Sequence, residues 1–342
     1  MNKIIIDAFG GDNAPEQIIE GTLLALEENK NFIAVFCGDE DKIKEILSTK
    51  SYDKTRVEIL DAKEVITCEE EPTVAIRTKP NSSICVAFKE LKENPEMKAF
   101  VSAGSTGAVL VGATLKLGRI KGVNRPALCP VLPTKIDGKQ VLLMDSGANA
   151  DCKPINLCQF ALMGSAYAEI MGIKNPKVAL LSNGTEDEKG NMLNHEVFPI
   201  LKEMKEINFV GNIEGRDILT GEYDVIVADG FSGNVALKSM EGAINVLFGE
   251  IKGCLKGFVG KLAGLLIKSR LKKVKKKLDY NNQGGALFLG VEKPVVKAHG
   301  ASKSKAFKNA VLQAVGYAEK DMPAKIKEKL SAVDLNAVKV ER

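Results

Sequence analysis

AFVSAGSTGAVLVGATLKL, residues 99–117, reads as one structural unit. A short apolar run is broken by small and hydroxylated residues and then resumes with helical spacing, which predicts strand, tight turn and helix in succession. The turn Ser102-Ala103-Gly104-Ser105-Thr106-Gly107 falls where the helix begins, so backbone N–H groups at Gly104, Ser105, Thr106 and Gly107 can cradle an anion. A turn of small residues chosen for close packing gives the same pattern, and a single Gly-rich turn does not separate the two readings.

The same unit recurs on both sides. KIIIDA (3–8), FIAVFCG (32–38), RVEIL (56–60), VLLMDSG (141–147), KVALLSNG (177–184) and YDVIVADG (223–230) are apolar runs bounded by turn residues, as buried parallel strands are. Helical patterns at 15–29, 81–92, 154–171 and 302–320 lie between or beyond them. Alternating strands and helices predict a layered α/β fold with a mostly parallel sheet, whose ligand crevice lies at the carboxyl ends of its strands. Those ends carry Asp7 with Gly10 and Gly11, Ala103-Gly104, Asp145 to Gly147, Asn183-Gly184 and Asp229-Gly230. The expectation is four polar loops along one sheet edge, within a single α/β unit spanning 1–342 with a central cleft.

Composition excludes several classes. With 342 residues, 45% hydrophobic and 27% charged, the chain has material for a sizeable core. The opening MNKIIIDAFGG lacks the apolar stretch of a secretory signal, and no run approaches the roughly 20 apolar residues that cross a bilayer. A cytoplasmic protein is expected. Seven cysteines without CxxC spacing and two histidines argue against a disulfide framework or a zinc site, so no metal and no cofactor are expected. Of the thiols, Cys152, between Asp151 and Lys153, is the nearest to a nucleophile; the alternative is a small buried hydrophobe.

The net charge of +4 is unevenly spread. Residues 250–279 hold ten Lys or Arg against Glu250 and Asp279, a local charge of +8, so the remainder carries about −4. Apolar positions from Ile244 to Leu278 follow helical spacing with lysines between them, predicting an amphipathic basic arm over 244–282. Lys268, Arg270, Lys272, Lys273, Lys275, Lys276 and Lys277 crowd its end, pointing to an acidic partner or an anionic membrane surface. With no Trp and few aromatics, nucleic acid is not an expected partner.

Three further loops carry candidate chemistry. Asp145-Ser-Gly-Ala-Asn149 places Asp145 and Asn149 after an apolar strand, Gly184-Thr-Glu-Asp-Glu-Lys189 supplies a point cation, and Asp229-Gly-Phe-Ser-Gly-Asn234 opens another helix. Lys189 suits a phosphate or an oxyanion, although a solvated acidic turn is the plain alternative.

Together, DAFGGDNAP (7–15), SAGSTGA (102–108), DSGANADCKP (145–154), EDEKGN (186–191), GNIEGRDI (211–218), DGFSGN (229–234) and AHG (298–300) resemble the PlsX family of fatty acyl-acyl carrier protein:phosphate acyltransferases, in family order over nearly the whole chain. Ser105 and Ser182 depart from the asparagines common there. The resemblance implies transfer of a long-chain acyl group from acyl carrier protein, or less readily coenzyme A, to inorganic phosphate, giving acyl phosphate for phospholipid synthesis. It also implies a fold similar to the isocitrate and isopropylmalate dehydrogenase and phosphotransacetylase group, a homodimer and peripheral membrane association.

For that reaction the residues suggest positioning and charge stabilisation rather than a covalent intermediate, because phosphate is a nucleophile and a thiolate a good leaving group. Ser102, Gly104, Ser105, Thr106 and Gly107 would bind phosphate with Arg216, and Lys189 with Asn234 would stabilise the oxyanion. Asp145 and Asp229 would orient neighbours. His299 would protonate the departing sulfur or hold a local hydrogen bond. Two other readings remain: a phosphotransacetylase-like enzyme using short acyl-coenzyme A, and a non-catalytic membrane scaffold built on the arm, which leaves the polar loops unexplained.

Overall fold

A computed structural model describes residues 1–278 and 284–333; positions 279–282 of the expected arm lie outside the described residues. The strands are β1 (Asn2–Asp7), β2 (Phe32–Gly38), β3 (Val57–Asp61), β4 (Met97–Ser102), β5 (Ala127–Cys129), β6 (Val131–Pro133), β7 (Gln140–Met144), β8 (Lys177–Ser182), β9 (Asn208–Glu214), β10 (Val225–Val227), β11 (Ala286–Leu289) and β12 (Val295–Lys297). They form two sheets rather than one. The first has the order β3-β2-β1-β4-β12-β11-β5 and the second β6-β7-β10-β8-β9. Pairing is parallel except for β11 with β12, β11 with β5, and β6 with β7.

The chain passes from one sheet to the other at Pro130, between β5 and β6, where the missing N–H suits a break in the ladder. The junction is held by the Ser146 N–H donating to the Leu128 carbonyl at 3.1 Å and the Leu143 N–H donating to Pro130 at 3.3 Å. The expected single row of loops is therefore two rows that face across this seam. The physical reason is that β5, β6 and β11 pair antiparallel, a choice that apolar patterning leaves open.

The helix Pro154–Ile170 has thirteen of its seventeen residues buried, as a helix that is apolar all round should. It belongs to the largest core cluster, with Leu142 and Met144 of the second sheet and Leu287 and Leu289 of the first. Helices Glu16–Glu28 and Ser304–Ala318 pack on each other so closely that a Cβ on Gly21 would lie 2.5 Å from the Ser304 carbonyl.

The arm is two helices, Gly230–Cys254 and Gly257–Leu278, joined at Gly257, whose φ of +77° favours glycine. Its apolar stripe is largely uncovered in the single chain: Val246, Leu247, Phe258, Leu262, Leu265 and Leu266 are all exposed. Of the basic cluster, Lys268, Arg270, Lys272, Lys273, Lys275 and Lys276 are exposed. Lys277 instead turns back to the body, ion-paired with Asp137 and donating to the Lys135 carbonyl at 2.8 Å. No helix among the described residues is long and apolar enough to cross a membrane.

Candidate active site

The carboxyl ends of β1, β4 and β12 meet in a buried polar network. Asp7, 1% exposed, accepts from the Ser83 hydroxyl at 2.7 Å and from the Ser102 hydroxyl at 2.6 Å. Ser102 Oγ in turn accepts from the Gly104 N–H at 2.9 Å. Burial raises the Asp7 carboxyl above its usual range, opposed by these bonds. The network fixes the 102–107 turn rather than facing a ligand. Gly10 is required for the close approach, since a Cβ there would lie 2.4 Å from Asp7 Oδ2. Gly11, with φ +104°, lets the loop turn so that the Asp12 N–H donates to the Gly300 carbonyl at 3.0 Å.

The next loops come from β7 and β10. Asp145, fully buried, accepts four hydrogen bonds: from the N–H groups of Leu128 (2.9 Å), Ala148 (3.1 Å) and Asn149 (2.7 Å), and from Asn149 Nδ2 (3.0 Å). Asn149 also donates to the Pro126 carbonyl at 2.8 Å. Both side chains are spent on holding the loop and the seam between sheets. Asp229 caps the helix Gly230–Cys254, accepting from the Ser232 N–H and hydroxyl, each at 2.8 Å. Cys152 is half-buried, and burial pushes its thiol up to about 11, which disfavours the thiolate a nucleophile needs.

Between these parts lies a cavity of about 340 Å³ lined by Thr106, Gly147, Asn234, Lys238, Lys297 and His299, with Leu128, Val131 and Leu237 among its apolar walls. The turn at 102–107 contributes Thr106. Ser105 is spent as the cap of the following helix, accepting from the Ala108 N–H at 3.4 Å. Asn234 stands beside Gly147, 3.4 Å from where a Cβ on that glycine would be.

Two cations there escaped the sequence reading. Lys297, 8% exposed at the end of β12, donates to the Ala103 carbonyl at 3.4 Å and to the Ala298 carbonyl, and burial pushes its amine down to about 8. Lys238 lines the same cavity from the helix Gly230–Cys254, ion-paired with Glu241 at 2.9 Å. A lone lysine closing the apolar run PVVKAHG was the available signal for the first; a lysine one helical turn after Asn234 was the signal for the second. His299 accepts from the Ala301 N–H through Nδ1 at 3.2 Å, so a neutral ring carries its proton on Nε2. Burial, then the neighbouring Lys238, lowers its pKa.

Lys189 and Arg216 are not brought into this cavity. Lys189 is exposed, its stem lying over Gly184 after β8, and Arg216 is exposed and ion-paired with Glu214 after β9. The order β7-β10-β8-β9 puts β10 between their strands and the seam.

The sequence pattern of the fatty acid synthesis protein family matches residues 2–325. The phosphate acyltransferase of Clostridium novyi is 48% identical over 327 residues, covering 95% of this chain and 97% of that protein. The chain belongs to this phosphate acyltransferase family. Among solved structures, a phosphotransacetylase from Streptococcus pyogenes aligns with a TM-score of 0.61 at 15% identity, over 93% of this chain and 94% of that one. A 4-hydroxythreonine-4-phosphate dehydrogenase from Klebsiella pneumoniae aligns with a TM-score of 0.54 at 13% identity, over 93% and 100%. These two share the fold of the phosphate acyltransferase, a mostly parallel α/β architecture grouped with phosphotransacylases and dehydrogenases.

Proposed function

We propose that this enzyme transfers a long-chain fatty acyl group from an acyl carrier protein thioester to inorganic phosphate, forming acyl phosphate for phospholipid synthesis. The observation that carries the reading is the cavity in which Lys238, Lys297, Thr106, Asn234 and His299 converge in a chain of the phosphate acyltransferase family. One buried and one exposed lysine lining the same cavity suit a small polyanion.

Phosphate held by Lys238, Lys297 and Thr106 attacks the thioester carbonyl. A C–O bond forms, negative charge gathers on the carbonyl oxygen, and the C–S bond then breaks to release thiolate. Asn234 Nδ2 and His299 Nε2 would act as the neutral donors to that oxygen. Lys297 gives two of its three N–H groups to backbone carbonyls, leaving the third for phosphate or for the departing sulfur. Its pKa of about 8 lies near that of a thiol, roughly 8.5, so a proton can pass to the sulfur with little thermodynamic cost. The exposed apolar arm residues and its lysines support a homodimer and an anionic membrane surface as partners, with acyl carrier protein as the acidic donor.

The test is incorporation of radiolabelled phosphate into acyl phosphate with palmitoyl-acyl carrier protein, palmitoyl-coenzyme A and acetyl-coenzyme A. The palmitoyl donors, the carrier protein foremost, are expected to give product. Product from the acetyl donor alone would transfer the enzyme to the short-chain reading.

A further inference from the structure

A second cavity, of about 500 Å³, lies on the other side of the first two turns of the helix Gly230–Cys254. The cationic cavity takes Asn234, Lys238 and Glu241 from this helix; the second takes Phe231, Ser232, Val235 and Ala236. Its other wall comes from the ends of β8 and β9 and from the start of the helix Met192–Glu203: Leu181, Ser182, Asn183, Asn191 and Asn194.

Its chemistry is unlike that of the first. No charged side chain among the described residues lines it. Side-chain amides alternate with apolar groups, and the Ser182 hydroxyl is buried without a hydrogen-bond partner among the described residues. A buried hydroxyl left unpaired costs stability, so the wall favours an occupant that can hydrogen-bond to it. Phosphate finds no cation there. A bare alkyl chain would strip water from the exposed Asn183 and Asn191 without replacing their hydrogen bonds, whereas Asn194 is buried and already donates to the Leu181 carbonyl at 2.9 Å.

We propose that this cavity binds the amide-bearing pantetheine arm of the thioester donor, with its two amides on the Ser182 and asparagine wall and its dimethyl group on Phe231 and Val235. This assignment rests on the acyl-transfer reading, since only a thioester donor brings such an arm. The arm would then lead its thioester past the first turn of this helix to the phosphate beside Asn234 in the first cavity.

The probe is S-methylpantetheine, which cannot react, titrated by calorimetry into the wild-type protein and into Val235→Trp, where indole fills the cavity from a half-exposed position, and Ser182→Ala. Wild type should bind, with affinity about tenfold weaker in Val235→Trp and measurably weaker in Ser182→Ala, a tenfold change being about 1.4 kcal/mol. In turnover, Val235→Trp should raise KM for palmitoyl-pantetheine by a similar factor, with KM for phosphate unchanged. Unaltered binding in Val235→Trp overturns the assignment. So does loss of decanoate binding in place of S-methylpantetheine binding, which marks an acyl-chain pocket, or a shift of Val235→Trp to a smaller species in sedimentation, which marks a surface between copies of this chain. Because the titration needs no turnover, probe binding without acyl phosphate formation would sink the functional reading and leave the cavity's occupant as assigned.

Discussion

Gly233 lies against the Asp145 carbonyl so closely that a Cβ on Gly233 would stand 1.9 Å from that oxygen. Helix and loop thus meet backbone to backbone, and this contact brings Asn234 beside Gly147. Gly233→Ala must push the helix off the loop. The expected cost is about 1–3 kcal/mol of overpacking together with loss of most activity. A Cβ on Gly242 in the same helix would meet no atom of the described residues within 4 Å, so Gly242→Ala should be neutral or stabilising by about 0.5–1 kcal/mol. Denaturant midpoints of the two variants check the contrast; equal midpoints would refute it.

Lys297 gives a pH signature. Burial holds its folded pKa at about 8, below the roughly 10.4 of an unfolded lysine, so between these values the unfolded chain binds the extra proton and stability rises with pH. Activity runs the other way: kcat/KM for phosphate should fall as pH rises through about 8, when the cation is lost. Lys297→Arg keeps its charge to about 12 or beyond, so whatever activity it retains should lack that alkaline limb. Lys297→Met should cost about a hundredfold in kcat/KM while folding at least as stably at pH 7, because a buried charge is removed. A pH profile shared by wild type and Lys297→Arg would remove Lys297 from the chemistry.

Cys152→Ser should retain near-wild-type turnover, and iodoacetamide at pH 7 should inactivate slowly if at all. Burial holds the thiol at about 11, leaving about one part in ten thousand as thiolate at that pH. Rapid inactivation protected by acyl donor would instead restore a covalent route.

The arm's lysines can be tested by removing charge from the exposed ones. Lys277 contacts Asp137 and Lys135 of the body and is best kept. Replacing Lys268, Arg270, Lys272, Lys273 and Lys275 with Gln should weaken binding to anionic vesicles, at about 1 kcal/mol per charge near the surface. It should also raise KM for acyl carrier protein donors while leaving turnover with a small donor alone. Vesicle cosedimentation at two salt concentrations reads the first effect, and unchanged binding at low salt would make the lysines a solvated face.

The residues explain what sequence could and could not tell. β1, β2 and β8 are continuous apolar runs closed by a turn residue, and pattern alone found them within two residues of their observed ends. β5, β6 and β12 span three residues each, and β9 reads NFVGNIE with Gly inside; such segments carry no period. Missing β12 meant missing Lys297. Lys189 stands out in sequence because its loop follows a strand, yet strand-end loops converge only when their strands are neighbours across the seam. Asp145 and Asp229 were legible as orienting groups because an acid before a Gly turn readily accepts backbone N–H groups.

Asn234 and Val246 belong to one uninterrupted helix, about 18 Å apart along its axis. A rod of that kind transmits tilt more than it absorbs it, since a sharp kink would disrupt its internal hydrogen bonds. The wall shared by the two cavities and the outlying apolar surface are therefore mechanically one part. Whatever grips the far end sets the angle of the near end.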